Sequence, residues 1–181
     1  MKKKKIDTIF EQVSKEINLK DIFYNKKIGS RAIWSVLTEL LFLIAPLFII
    51  TLIMLSQNKF SFIEFCKLSD ISLISTFLFG LAIIKLFQLP QDTFILDGNE
   101  SITGIATLFI IFGLISSIII FIFSFISTDI SSFIIWSQPI LLLISIIVYA
   151  LTAFTTNSAN ILKYEATNRV VEKVIDKFNN E

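Results

Sequence analysis

Glu39 and Lys85 are the two charged groups that lie inside long apolar runs of this 181-residue chain. A carboxylate or an ammonium in such a setting is costly in lipid, and it normally faces a partner or a water-filled cavity. The chemistry open to the two is an ion pair, coupling to a transported ion, or a polar tie between helices. Little else in the chain could react. There is no histidine, which removes the commonest general base, proton switch and transition-metal ligand together. The single cysteine, Cys66, cannot form an intrachain disulfide or a Cys-rich metal site. No dinucleotide, P-loop, zinc-protease or nucleophile-elbow pattern occurs. A membrane-embedded hydrolase or transferase would need a converging nucleophile, base or carboxylate cluster, and the apolar runs hold one Glu and one Lys. The expectation is a non-enzymatic protein with no catalytic residues, no metal site and no cofactor.

The elements that must position Glu39 and Lys85 follow from the charge distribution. Residues 1–31 carry nine Lys/Arg and four Asp/Glu, and residues 156–181 carry four of each. The 124 residues between hold three basic groups, Lys59, Lys67 and Lys85, and seven acidic ones. The net charge of +1 therefore combines a basic head, a neutral tail and a nearly uncharged body. Hydrophobic residues make up 54% of the chain and mean hydropathy is +0.77, beyond what a soluble domain of this size carries. A soluble enzyme, a disordered chain and an ordinary nucleic-acid binder are excluded. A polytopic membrane protein is expected.

A spanning helix needs about 20 mostly apolar residues to cross about 30 Å of hydrocarbon. Four runs qualify, at about 33–55, 71–90, 102–126 and 133–155. None alternates with period two, so a β-barrel is not expected. The fold class is all-α: a polytopic four-helix bundle (32–155) between a basic amphipathic segment (1–31) and a C-terminal helix (156–181). Short connections imply that consecutive spans are antiparallel neighbours. Pro46 and Pro139 fall inside spans, where each removes a helix hydrogen bond. The first long apolar run begins near residue 32, too far along for a signal-peptide core, so the N-terminus is expected to be retained.

Lys and Arg near the span ends set the orientation. Both ends are basic, and an even number of spans puts them on one side, the cytoplasm of a bacterial inner membrane. The middle loop at 91–101 then faces inward although it holds three acids and no Lys or Arg, a mild departure from the rule. In the head, Ile6, Ile9, Phe10, Val13 and Ile17 recur at helical spacing, and in the tail Val171, Val174 and Phe178 do so beside Val170 and Ile175. These stripes can pack on each other, meet another subunit or soluble partner, or lie on lipid. The run Lys2, Lys3, Lys4 and Lys5 would add attraction to anionic headgroups of about 1 kcal/mol per lysine. Nothing breaks the helix between the fourth span and the tail.

Depth brings the two buried charges to one level. Glu39 lies about six residues past Ile33, or about 9 Å, and Lys85 about five residues from Pro90, or about 7.5 Å from the same surface. Two helices that are neighbours would therefore pair them. The competing readings are that Lys85 snorkels to the headgroups and that Glu39 bonds to Thr38, Ser35 or Gln88. On the third span, Gly113 and Ser117, with Ser124 near by, form a small-residue stripe suited to close helix packing, within the chain or between chains.

These readings converge on a self-associating sensor or scaffold of two to four subunits that engages a soluble cytoplasmic partner through its terminal helices. Bacterial defence and immunity systems use membrane proteins of this general design, which is analogy at the level of class. The alternative is an oligomeric channel or small transporter using Glu39. Lipid is the certain partner, and no nucleic acid is expected. The topology is checked by replacing Cys66 and placing single cysteines at Gln12, Ser61, Asn99 and Asn179. An impermeant thiol reagent on intact cells should label position 61 alone, and labelling at 12 or 179 would refute the arrangement.

Overall fold

The computed structural model describes residues 26–89, 100–126 and 131–179, with side chains for 28–89, 104–126, 131–165 and 168. The head residues Ile6, Ile9, Phe10, Val13, Ile17 and Lys2 to Lys5 lie outside the described residues, as do the side chains of Val171, Val174 and Phe178. The elements among the described residues are all helices: α1 (Lys26–Ser56), α2 (Phe62–Cys66), α3 (Ser69–Phe87), α4 (Glu100–Ile126) and α5 (Ser132–Asn179). Four of them, α1, α3, α4 and α5, are long and apolar enough to cross a membrane. The helices run through Pro46 and Pro139 without a break in assignment. Their bounds differ from the apolar runs chiefly at polar flanks, because a helix needs satisfied carbonyls and amides rather than apolar side chains to continue. Thus α1 starts seven residues before Ile33, and α5 continues unbroken into the tail for 48 residues in all.

The end of α1 shows how a turn is built at the edge of an apolar helix. The Lys59 amide donates to the Met54 carbonyl at 3.0 Å and the Asn58 amide to the Leu55 carbonyl at 3.0 Å. This pattern is a Schellman closure, and it requires a left-handed residue, which Asn58 supplies at φ 53°. Asn tolerates that conformation better than other non-glycine residues. The short helix α2 then interrupts what the sequence pattern reads as a loop. It leaves Phe62 and Ile63 exposed, sets Phe62 against Trp136 with ring centroids 6.2 Å apart, and buries Cys66. Burial pushes the Cys66 thiol up, so at neutral pH it is less reactive than an exposed cysteine. At 1% exposure it cannot reach a second chain for a disulfide without the segment moving.

The helix α3 is central. It packs along both α4 and α5, while α1 lies mainly against α5 and only lightly against α3. Consecutive spans are thus not all close neighbours: the first rests on the fourth rather than on the second. Along α3, Ile71, Ile74, Ser75, Leu78, Phe79 and Ala82 are buried at helical spacing. The interior also contains Ser72, Ser117, Gln138, Ser145 and Thr156, whereas exposed positions on α1 and α4 include Leu41, Phe42, Phe48, Leu108, Phe112 and Phe125. An interior that admits small and polar residues beside its apolar ones, and an outside covered by large apolar ones, is the distribution expected where lipid, not water, surrounds the protein. Two buried hydroxyls are satisfied within their own turn: Ser75 Oγ donates to the Ile71 carbonyl at 2.8 Å and Ser145 Oγ to the Leu142 carbonyl at 2.8 Å.

The small-residue stripe of α4 serves contacts within the chain. Gly113 faces the ring of Phe79, and a Cβ there would lie 2.5 Å from Phe79 Cζ. Ser117 Oγ accepts from Thr76 Oγ1 at 3.0 Å, and Ser124 Oγ accepts from Gln138 Nε2 at 3.0 Å. Each contact ties α4 to α3 or α5. Because Phe79 is fully buried it has no room to retreat, and overpacking of this kind costs about 1–3 kcal/mol. Gly113→Ala should therefore lower the melting temperature in detergent. Adding Phe79→Leu should restore part of the loss, which differential scanning fluorimetry of the two variants would read.

Candidate functional site

The polar cluster of the molecule forms where α1, α3 and α5 meet. Lys85 Nζ lies 3.0 Å from Glu39 Oε2 and 3.1 Å from Oε1, so the ammonium bridges both carboxylate oxygens. It also donates to Asn157 Oδ1 at 3.4 Å. Tyr149 donates its phenolic hydroxyl to Glu39 Oε2 in a short bond. Ser35 Oγ donates to Glu39 Oε1 at 3.4 Å and accepts from Asn157 Nδ2 at 3.1 Å. The result is a closed ring of Glu39, Lys85, Asn157 and Ser35, with Tyr149 holding the carboxylate from α5.

The local sequence explains who can take part. Ser35 and Glu39 are one turn apart on α1 and so share a face. Tyr149, Ala153 and Asn157 recur every four residues on α5, which lines the phenol and the amide along one stripe. Ala153 is fully buried and small, and it lets the helices approach between the two polar rungs. Lys85 lies in the last turn of α3, where its own carbonyl accepts only a shared, 3₁₀-type bond from the Gln88 amide at 3.1 Å. Thr156 Oγ1 donates to that carbonyl at 2.9 Å, so α5 caps α3 from the side.

Of the partners considered for Glu39, Lys85 and Ser35 are in contact, while the Thr38 hydroxyl turns back to the Trp34 carbonyl at 2.9 Å. Sequence reasoning passed over Tyr149, Thr156 and Asn157. Their signal was thin: Tyr149 is a single polar tip inside the fourth apolar run, and Thr156 and Asn157 lie just past its end, one of them two turns from Tyr149. Hydroxyls and amides are frequent enough in spanning helices to be overlooked without a partner in view. Toward the helix ends, Arg31 reaches Glu165 at 3.6 Å, but their side chains are 58% and 30% exposed, and a pair of that kind contributes little. No family model, curated protein or solved structure matches this chain.

As it stands the cluster is a clasp that ties three helices together. Each group that touches Glu39 donates to it: Ser35 Oγ, Lys85 Nζ and the Tyr149 hydroxyl. Breaking a buried ion pair from one side strands the other charge, at about 3–5 kcal/mol. With the Glu39 side chain 33% exposed and that of Lys85 18% exposed, a smaller loss of about 1–3 kcal/mol is expected. Glu39→Gln and Lys85→Met should each lower the melting temperature in detergent, and the double variant should recover much of the loss. Strictly additive single effects would show that the contact does not stabilise the fold.

Proposed function

We propose that this protein is a non-enzymatic scaffold or sensor of a bacterial inner membrane, a self-associating four-helix bundle that presents helical ends to a soluble cytoplasmic partner. The observation that carries this reading is α5. Its apolar run ends near residue 155, yet the helix continues to Asn179, another 24 residues or about 36 Å. A helix that projects this far beyond its apolar stretch offers a surface that lipid does not cover. The Lys/Arg-rich ends support placing that surface in the cytoplasm. The clasp supports a static role for Glu39. A carboxylate that couples transport must release its partners in each cycle, whereas this one is held by donors from its own helix and from both neighbouring helices.

Two measurements test the reading on the full chain. The detergent-corrected mass should correspond to two to four copies of the 20.6 kDa chain, and a single copy that persists in lipid nanodiscs would remove self-association. In proteoliposomes the protein should leave an imposed potassium or proton gradient intact. A flux that Glu39→Gln abolishes without loss of stability would establish the transporter alternative instead.

A further inference from the structure

The clasp has an exposed side, and its surroundings match one kind of ligand. The helix α3 is 19 residues long, about 28 Å, close to the thickness of the hydrocarbon it would cross. Lys85 is two residues from its end, which sets the Glu39–Lys85 pair at the boundary between acyl chains and headgroups. Because α1 packs on α5 and only lightly on α3, the pair bridges two helices that are not sealed against each other. Glu39 keeps a third of its side-chain surface exposed. On the flanks, Trp34 of α1 is 68% exposed and Phe87 of α3 is 80% exposed, and aromatic residues of this kind mark the headgroup level. A partly uncovered ion pair facing a membrane boundary requires polar cover.

We propose that the Glu39–Lys85 pair is a docking site for a zwitterionic phospholipid headgroup bearing a primary ammonium, the phosphoethanolamine class. The pair presents one negative and one positive charge side by side, and such a headgroup presents the complementary pair. The two longest contacts in the clasp are the ones it would replace. Its ammonium would take the place of Ser35 Oγ, 3.4 Å from Glu39 Oε1, and a phosphate oxygen that of Asn157 Oδ1, 3.4 Å from Lys85 Nζ. Both exchanges substitute a bond between two ions for one between an ion and a neutral group, and such bonds are shorter and stronger. An anionic headgroup without an amine meets Lys85 but is repelled by Glu39. A choline headgroup brings the positive charge but no N–H to donate. The site is independent of any soluble partner of the terminal helices.

The test uses the full chain in detergent supplemented with phosphatidylethanolamine, phosphatidylcholine or phosphatidylglycerol of matched acyl chains, read by native mass spectrometry and by melting temperature. Phosphatidylethanolamine should give the most retained adducts and the largest upward shift, with little change as salt is raised. Glu39→Gln/Lys85→Met, which removes both charges together, should lose this selectivity. Ser61→Ala, at the exposed start of α2 and away from the clasp, should keep it, and this variant serves as the folded control. Equal retention of the three lipids, or selectivity that survives in the double variant, would overturn the proposal. A salt-sensitive preference for phosphatidylglycerol would also overturn it, and would assign lipid binding to the Lys2–Lys5 run.

Discussion

A carboxylate on one apolar helix and an ammonium on another each carry a desolvation cost that neither helix can meet alone. In this protein that cost is met by a third helix. The helix α5 supplies the Tyr149 hydroxyl to Glu39, the Asn157 amide to Lys85 and Ser35, and the Thr156 hydroxyl to the Lys85 carbonyl. The rest of the arrangement follows from this. The first and second spans touch lightly because each is held to the fourth, and the charged contact between them closes over that common support.

A second constraint comes from the surroundings. Lipid tails are as apolar as leucine, so burying a leucine gains little, and helices associate through close packing and hydrogen bonds between polar side chains. The contacts Gly113 with Phe79, Ser117 with Thr76 and Ser124 with Gln138 supply both, and they run along the α4 surface from its middle to its end. Large apolar side chains cover the outside as well as joining the core at Ile71, Leu78 and Phe79. The buried Gln138 takes part through its amide nitrogen, bonded to Ser124, while its Oε1 is buried without a partner among the described residues. A glutamine is tolerated at such depth because its alternative, in an unpacked helix, is exposure to hydrocarbon.

The clasp and the extended tail belong to the same helix. Between Tyr149 and Glu165, α5 makes the polar contacts that gather α1 and α3, and from there it continues to Asn179. One continuous helix is stiff over this distance, so whatever the projecting end encounters is mechanically joined to the segment that holds the ion pair.

What the sequence determined by itself is the part governed by composition over long windows. Four apolar runs of spanning length, two basic ends and two conspicuous charges follow from residue types alone, because transfer from water to lipid depends on each side chain and not on its neighbours. The small-residue stripe on α4 was visible for the same reason. The tertiary structure alone decided which helices are neighbours. Apolar helices are nearly equivalent as packing partners, and nothing in a hydropathy profile says that the first rests on the fourth. It also decided that Tyr149, Thr156 and Asn157 matter, since a hydroxyl or an amide gains meaning only from the atom it faces. The turn at Asn58 and the short helix α2 depend on single backbone angles and local hydrogen bonds, which a pattern of apolar residues does not carry.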